Sequence, residues 1–313
     1  MISPTPVLAI VGATATGKSA VAVEVAQALG AEIVSIDSMQ AYEGLDAGTD
    51  KPTPEMRARV AHHLVDTYPL LHDLTAAEFQ AAARAAIDDI RSRGKHALLV
   101  GGSGLYFRAV VDDLRFAPRA PEIRRRLEGE AAHEGAPALH ARLARLDPLA
   151  AARIEPGNAR RVVRALEAIE ISGDRFSATY AWPRYDSVFH LRVAGLRLPR
   201  VELFERIAAR VDRMLADGLV DEARALEARG LSRTARQAVG YRQVLAATPE
   251  AGDDDVRPAI VAATKRLARR QESWFGADPR VEWFDARAPG LAAAIGAFLA
   301  AGETTATAPS GSV

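Results

Sequence analysis

The sequence predicts an α/β fold, a parallel sheet core interrupted by an all-helical insertion. Three observations carry this. Short apolar runs alternate with helical stretches through the first hundred or so residues, the pattern of parallel strands joined by crossover helices. The first run leads into a glycine-rich loop and then a helix. From Pro118 to about Tyr185 strand signals stop and helical ones continue.

In order, Val7–Val11 is an apolar run ended by Gly12 and reads as a buried strand. Gly12–Ser19 is a loop. Ala20–Leu29 has helical composition and stops at Gly30, a C-terminal glycine signal. Glu32–Ile36 is a second strand, ending at Asp37. Thr75-Ala76-Ala77-Glu78 is a capping box opening a helix that runs to about Arg93. His96–Val100 is a third strand, stopped by Gly101-Gly102. In the insertion, Glu122–Ala132, Pro137–Leu146 and Pro148–Ile154 read as separate helices, and Asn158 caps a longer one, Ala159–Ser172. Val188–Leu196 is a returning strand. Val201–Asp217, Asp221–Arg229 and Val256–Phe275 are helices, Val281–Phe284 a last strand and Leu291–Ala301 a last helix. The predicted domains are therefore 1–117 with 187–301 as the core, 118–186 as the insertion, and 302–313 as a disordered tail.

Composition narrows the function. The 313 residues include no cysteine, which excludes disulfides, thiolate nucleophiles and Cys-ligated metal. MISPTPVLAIVG lacks a basic leader region, and no run approaches the roughly 18 apolar residues of a membrane helix. A soluble, cytoplasmic protein with no membrane partner is expected, and a monomer. The 40 basic and 40 acidic residues cancel, but unevenly. Residues 115–213 carry 19 basic and 13 acidic side chains, which suggests either a polyanion surface or solvated helix faces.

The strongest motif is Gly12-Ala13-Thr14-Ala15-Thr16-Gly17-Lys18-Ser19, which matches GxxxxGK[ST] and lies between a strand and a helix. Such a loop wraps a polyphosphate with its N–H groups. Lys18 adds a point charge and Ser19 can hold Mg²⁺. The core is thus P-loop NTPase-like, a nucleotide- or ATP-binding architecture. Yet the strand that ordinarily ends in a magnesium-holding Asp ends here in Gly101-Gly102-Ser103. Those glycines suit close backbone approach by a ligand. Asp37 closes the second strand at the edge where ligands of open sheets gather. It reads as a general base toward a substrate N–H or O–H, or as a cap for a helix over Ser38–Tyr42. His62, His63 and Asp66 read as packing rather than a metal site. Arg124–Arg126, Arg160-Arg161 with Arg164, and Lys265-Arg266 with Arg269-Arg270 are cation clusters. Together with Tyr241 and Trp274-Phe275 they fit phosphate-backbone binding with base stacking.

These blocks resemble the bacterial tRNA dimethylallyltransferases, also called tRNA isopentenyltransferases. The likeness rests on Ser35–Tyr42, Gly44–Thr49 with Lys51-Pro52, His62–Asp66, Gly101–Tyr106, Arg160–Glu167, Val239–Gln243 and Arg269–Gln271 through Trp274-Phe275. It spans about residues 7–285. Ala13, Thr16 and Arg160 stand where the family usually has proline, serine and glutamine. The resemblance implies transfer of a dimethylallyl group from its diphosphate to N6 of the adenosine 3′ to the anticodon of tRNA. The P-loop then holds the diphosphate leaving group, and the missing Asp is explained. It further implies Asp37 as base, Arg210 on the departing diphosphate, Thr14 against diphosphate or amine, and Mg²⁺ at Ser19. The anticodon stem-loop would be held by Asp37, Ser38, Met39, Gln40, Ser103, Arg124, Arg160, Arg161, Val162, Val163, Arg164, Gln237, Gly240, Tyr241 and Arg242. The rivals are an enzyme that prenylates free adenine nucleotides, a small-molecule P-loop kinase and a non-catalytic RNA-binding module.

Overall fold

The computed structural model describes residues 5–117, 119–179 and 185–301, so the tail 302–313 lies outside the described residues. β1 (Val7–Gly12) shows why the first apolar run is a strand. Val7, Ala9 and Val11 enter one hydrophobic core, Leu8 and Ile10 another. Successive strand side chains face opposite ways, so a strand apolar throughout must be covered on both faces. The others are β2 (Ala31–Ser35), β3 (His62–His63), β4 (His96–Gly101), β5 (Leu191–Arg197) and β6 (Val281–Asp285). All pair in parallel, in the order β3-β2-β4-β1-β5-β6.

The helices are α1 (Lys18–Leu29), α2 (Pro54–Arg59), α3 (Ala76–Ser92) and α4 (Gly104–Val111), then α5 (Pro121–Glu134), α6 (Ala136–Leu146), α7 (Pro148–Ala151), α8 (Ala159–Ser172) and α9 (Phe176–Thr179). After β5 come α10 (Arg200–Ala216), α11 (Leu219–Arg229), α12 (Tyr241–Leu245), α13 (Asp253–Gly276) and α14 (Leu291–Ala300). α1 and α14 cover one face of the sheet through Val23, Ala26, Ile295 and Leu299. α3, α4 and α10 pack on the other through Phe79, Ile87, Phe107, Val110 and Val211. Thr75 and Glu78 form the expected capping box at the start of α3. α1 begins at Lys18 rather than Ala20, so the phosphate-loop lysine and serine occupy its first turn. β3, α2, α4 and α12 lack sequence signals long enough to show a period.

The chain divides into two compact units, Asp113–Asp186 and the remainder. The smaller unit therefore starts five residues before the expected boundary at 118. Its core is built by Leu127, Leu139, Leu143, Val162, Val163 and Leu166. Two buried carboxylates tie its helices. Asp147 caps α7 at Ala150 N–H (3.0 Å) and accepts from the Ser177 hydroxyl (2.7 Å). Glu167, fully buried, accepts from Arg124 (2.5 Å), Arg164 (2.7 Å) and the Ala120 N–H (3.1 Å). Burial alone would raise its pKa, but Arg164, Arg124 and the Ala120 N–H outweigh it and hold the carboxyl below the usual range.

Candidate active site

The crevice arises from topology. α1, after β1, goes to one face of the sheet, and α4, after β4, goes to the other. Adjacent strands β1 and β4 thus send their following segments apart, which opens a ligand site at their carboxyl ends. A cavity of about 590 Å³, including its solvent-open mouth, lies there. It is lined by Thr14, Lys18 and Ser19 from the phosphate loop, Asp37 and Gln40 beyond β2, Asp50, Gly101-Gly102, Arg210 of α10 and Gln271 of α13.

The phosphate loop is built from within. Gly12 has φ 145° and lies so close to β5 that a Cβ would stand 2.5 Å from the Leu196 carbonyl oxygen. Thr16, buried, donates to the Ala13 carbonyl at 2.8 Å. Ala13 packs with Leu203, Ile207 and Ala268. The side chains of Ala13 and Thr16 therefore shape the loop rather than meet a ligand. Lys18 donates to the Ala13 carbonyl at 2.7 Å. Burial, aided by neighbouring Arg210, brings its ammonium down to about 8.

Asp37 faces this loop. Its Oδ1 accepts the Met39 N–H at 3.0 Å, and residues 38–41 form turns rather than the helix it was expected to cap as an alternative role. Burial pushes the carboxyl up, while Met39, Arg210 and Lys18 pull it part of the way back. Arg210 donates to Thr14 Oγ1 at 2.8 Å and pairs with Asp50 at 3.1 Å. Gln271 Oε1 accepts the Thr14 N–H at 2.8 Å. A Cβ on Gly102 would stand 2.4 Å from the Gln271 amide nitrogen, and one on Gly101 2.6 Å from Ile36. Close approach at these glycines is thus by the protein itself. Gln40 is held by Ser35 (2.9 Å) and by the carbonyls of Thr49 (3.1 Å) and Asp50 (2.9 Å).

The expected RNA contacts divide. Arg160, Arg161, Gln237 and Arg242 are exposed. Met39 and Ser103 are half-buried. Ser38, Val162 and Val163 are buried, the two valines in the core of the smaller unit, so their side chains are closed to a ligand. Arg124 and Arg164 are engaged with Glu167. Gly240 is buried at φ 99°. Tyr241 and Phe275 are fully buried and cannot stack on a base, and Trp274 packs over Gly104, where a Cβ would fall within 1.9 Å of its ring. Asp50 and Gln271 were assigned no role from sequence. Asp50 sits beside the Lys51-Pro52 block and Gln271 closes Arg269-Arg270-Gln271, but only the fold brings them to the loop.

The family model of the IPP transferases matches residues 40–278. The chain belongs to the IPP transferase family. Similar relatives include the tRNA dimethylallyltransferases of Streptomyces avermitilis, 52% identical over 92% of this chain and 93% of that one, and of Streptomyces coelicolor, 54% identical over 90% of each. The crystal structure of the full-length tRNA isopentenylpyrophosphate transferase of Bacillus halodurans is 36% identical, covers 95% of this chain and 96% of that one, and superposes with a TM-score of 0.69. A eukaryotic dimethylallyltransferase acting on tRNA, 24% identical over 90% of this chain and 74% of that one, shares the fold with a TM-score of 0.78. No helix among the described residues of this IPP transferase family member is long and apolar enough to cross a membrane.

Proposed function

We propose that this protein is a cytoplasmic tRNA dimethylallyltransferase. It transfers the dimethylallyl group of dimethylallyl diphosphate to N6 of the adenosine 3′ to the anticodon. The observation that carries this reading is one cavity in which a half-buried carboxylate, Asp37, faces the phosphate loop with its Lys18, and Arg210 of α10 stands beside them. A kinase-type carboxylate at the end of β4 is replaced by Gly101-Gly102.

The diphosphate lies on the N–H groups at the start of α1, with Lys18 and Arg210 taking up charge as it departs. The adenine amine is a weak nucleophile because its lone pair is delocalised into the ring. Asp37 accepts its proton as the N–C bond forms and the allylic C–O bond breaks, and diphosphate leaves. Burial raises the basicity of Asp37, which suits that task. Thr14, held by Arg210, offers a hydroxyl between loop and amine.

Magnesium fits this donor set in one form. No group of three or more His, Asp or Glu among the described residues is placed to hold a metal. Ser19, however, lines the cavity at the first turn of α1, and Mg²⁺ commonly takes one or two protein groups together with phosphate oxygens and water. When bound, the ion offsets charge on the diphosphate. The RNA is a splayed anticodon loop, since a duplex cannot present this amine. Exposed Arg160, Arg161, Gln237 and Arg242 are the side chains available to it.

The test is a single incubation series: labelled dimethylallyl diphosphate with unmodified tRNA, with AMP, and labelled ATP with small acceptors. Label retained in tRNA supports the reading. Label in AMP, or phosphoryl transfer from ATP, replaces it.

A further inference from the structure

One hydrogen-bonded cluster, half-buried around the fully buried Tyr241, lies outside the chemistry described above. Three consecutive backbone N–H groups of the loop after Gly44 point at two side chains from distant parts of the sequence. Glu222 of α11 accepts from Asp46 N–H at 2.9 Å and from Ala47 N–H at 3.0 Å. Gly48 N–H donates to the Tyr241 hydroxyl at 3.0 Å, and that hydroxyl donates in turn to Glu222. Gly48 is forced by the packing: a Cβ there would lie 2.4 Å from the Tyr241 ring. Tyr241 is fully buried, so its place in the protein is this junction rather than a surface.

The loop so held leads directly into the cavity. Its next two residues, Thr49 and Asp50, line the cavity and lend their carbonyls to Gln40. Asp50 takes a left-handed backbone, φ 54°, and its carboxylate meets Arg210 at 3.1 Å. Arg210 meets Thr14 of the phosphate loop at 2.8 Å. A carboxylate on two successive N–H donors and a tyrosine hydroxyl fixes a loop more firmly than one neutral contact, because charge-assisted hydrogen bonds are roughly twice as strong. The strained Asp50 conformation needs such support on its N-terminal side.

We infer that Glu222, through Tyr241 and the loop 46–50, is a positioning residue that sets the Arg210 guanidinium for the diphosphate. This rests on the diphosphate reading of the cavity. The consequence is a directional coupling: loss of Glu222 acts only while Arg210 is present.

The test measures binding of inorganic pyrophosphate with Mg²⁺ by titration calorimetry, on the whole protein, for wild type, Glu222→Ala, Arg210→Ala and the double variant. Arg210→Ala loses about 10–100-fold in affinity, the worth of a hydrogen bond to a charged group. Glu222→Ala loses about tenfold alone and nothing further in the Arg210→Ala background. A merely structural Glu222 gives losses that add, and additivity or an unchanged single variant overturns the inference. Tyr241→Phe, which keeps the ring and removes one hydroxyl, serves where Glu222→Ala does not fold, with a smaller loss and the same non-additivity. Wild-type protein that fails to bind pyrophosphate sinks the diphosphate reading itself, and the inference falls with it.

Discussion

Lys18→Met separates what this lysine does for the ligand from what it does to the fold. Burial beside Arg210 lowers the ammonium from 10.5 to about 8. Between those values the unfolded lysine binds more protons than the folded one, so native stability rises with pH across that window. At pH 7 the folded, charged lysine costs about 3 kcal/mol relative to the unfolded chain; at pH 10 the folded lysine is neutral and the cost falls to about 1 kcal/mol. Methionine removes the charge at both values. It also removes the hydrogen bond to the Ala13 carbonyl, a loss of about 1 kcal/mol. The ligand-free variant is therefore more stable than wild type by about 2 kcal/mol at pH 7 and roughly equal to it at pH 10. In a unit of this size that gain raises Tm by about 5 °C. Calorimetric melts at the two pH values read it directly. Pyrophosphate with Mg²⁺ then raises the wild-type Tm and leaves the variant's unchanged. A variant no more stable than wild type at pH 7, or one with the same gain at pH 10, refutes the reasoning.

Asp37→Asn keeps tRNA binding and lowers single-turnover prenyl transfer by about 10²–10⁴-fold; a loss below about tenfold assigns Asp37 to the turn it makes with Met39. Because burial raises the Asp37 carboxyl, the rate falls as pH drops through a value above the ordinary 3.8, and a pH–rate profile whose acid limb sits at or below 3.8 contradicts this. Arg160→Ala with Arg161→Ala lowers the slope of log tRNA affinity against log salt by a little under two units, without moving pyrophosphate affinity. Arg124 and Arg164 answer to a different measurement. Glu167→Ala leaves them without their partner and destabilises the helical unit by about 3 kcal/mol, seen as a lower-temperature transition in calorimetry.

Much of this was legible because the governing signals are local. The phosphate loop declares itself by glycine spacing between a strand and a helix, and Ala159–Ser172 by Asn158 at one end and Gly173 at the other. What stayed hidden depends on contacts across the chain. Arg124 and Arg164 look like exposed cations until Glu167 is found buried between them. Tyr241 reads as an aromatic for stacking until Glu222 and Gly48 take its hydroxyl. Val162 and Val163 are a different case: the helical period, a local signal, already turns them inward, against the RNA contact that the resemblance implied. Glu222 has no sequence signal, being a single carboxylate far from the loop it holds.

The sheet ends beside the cavity in β3, a strand of two residues whose His62 lines the cavity. An edge strand exposes unpaired N–H and C=O groups that a second chain can extend. Two residues give such a chain only about 7 Å of template, too little to register against. The strand bearing Asp37 at its end is thus shielded from its outer side without offering a long edge to neighbouring molecules. The rim beside Asp37 thus presents almost no strand edge on which another chain could add.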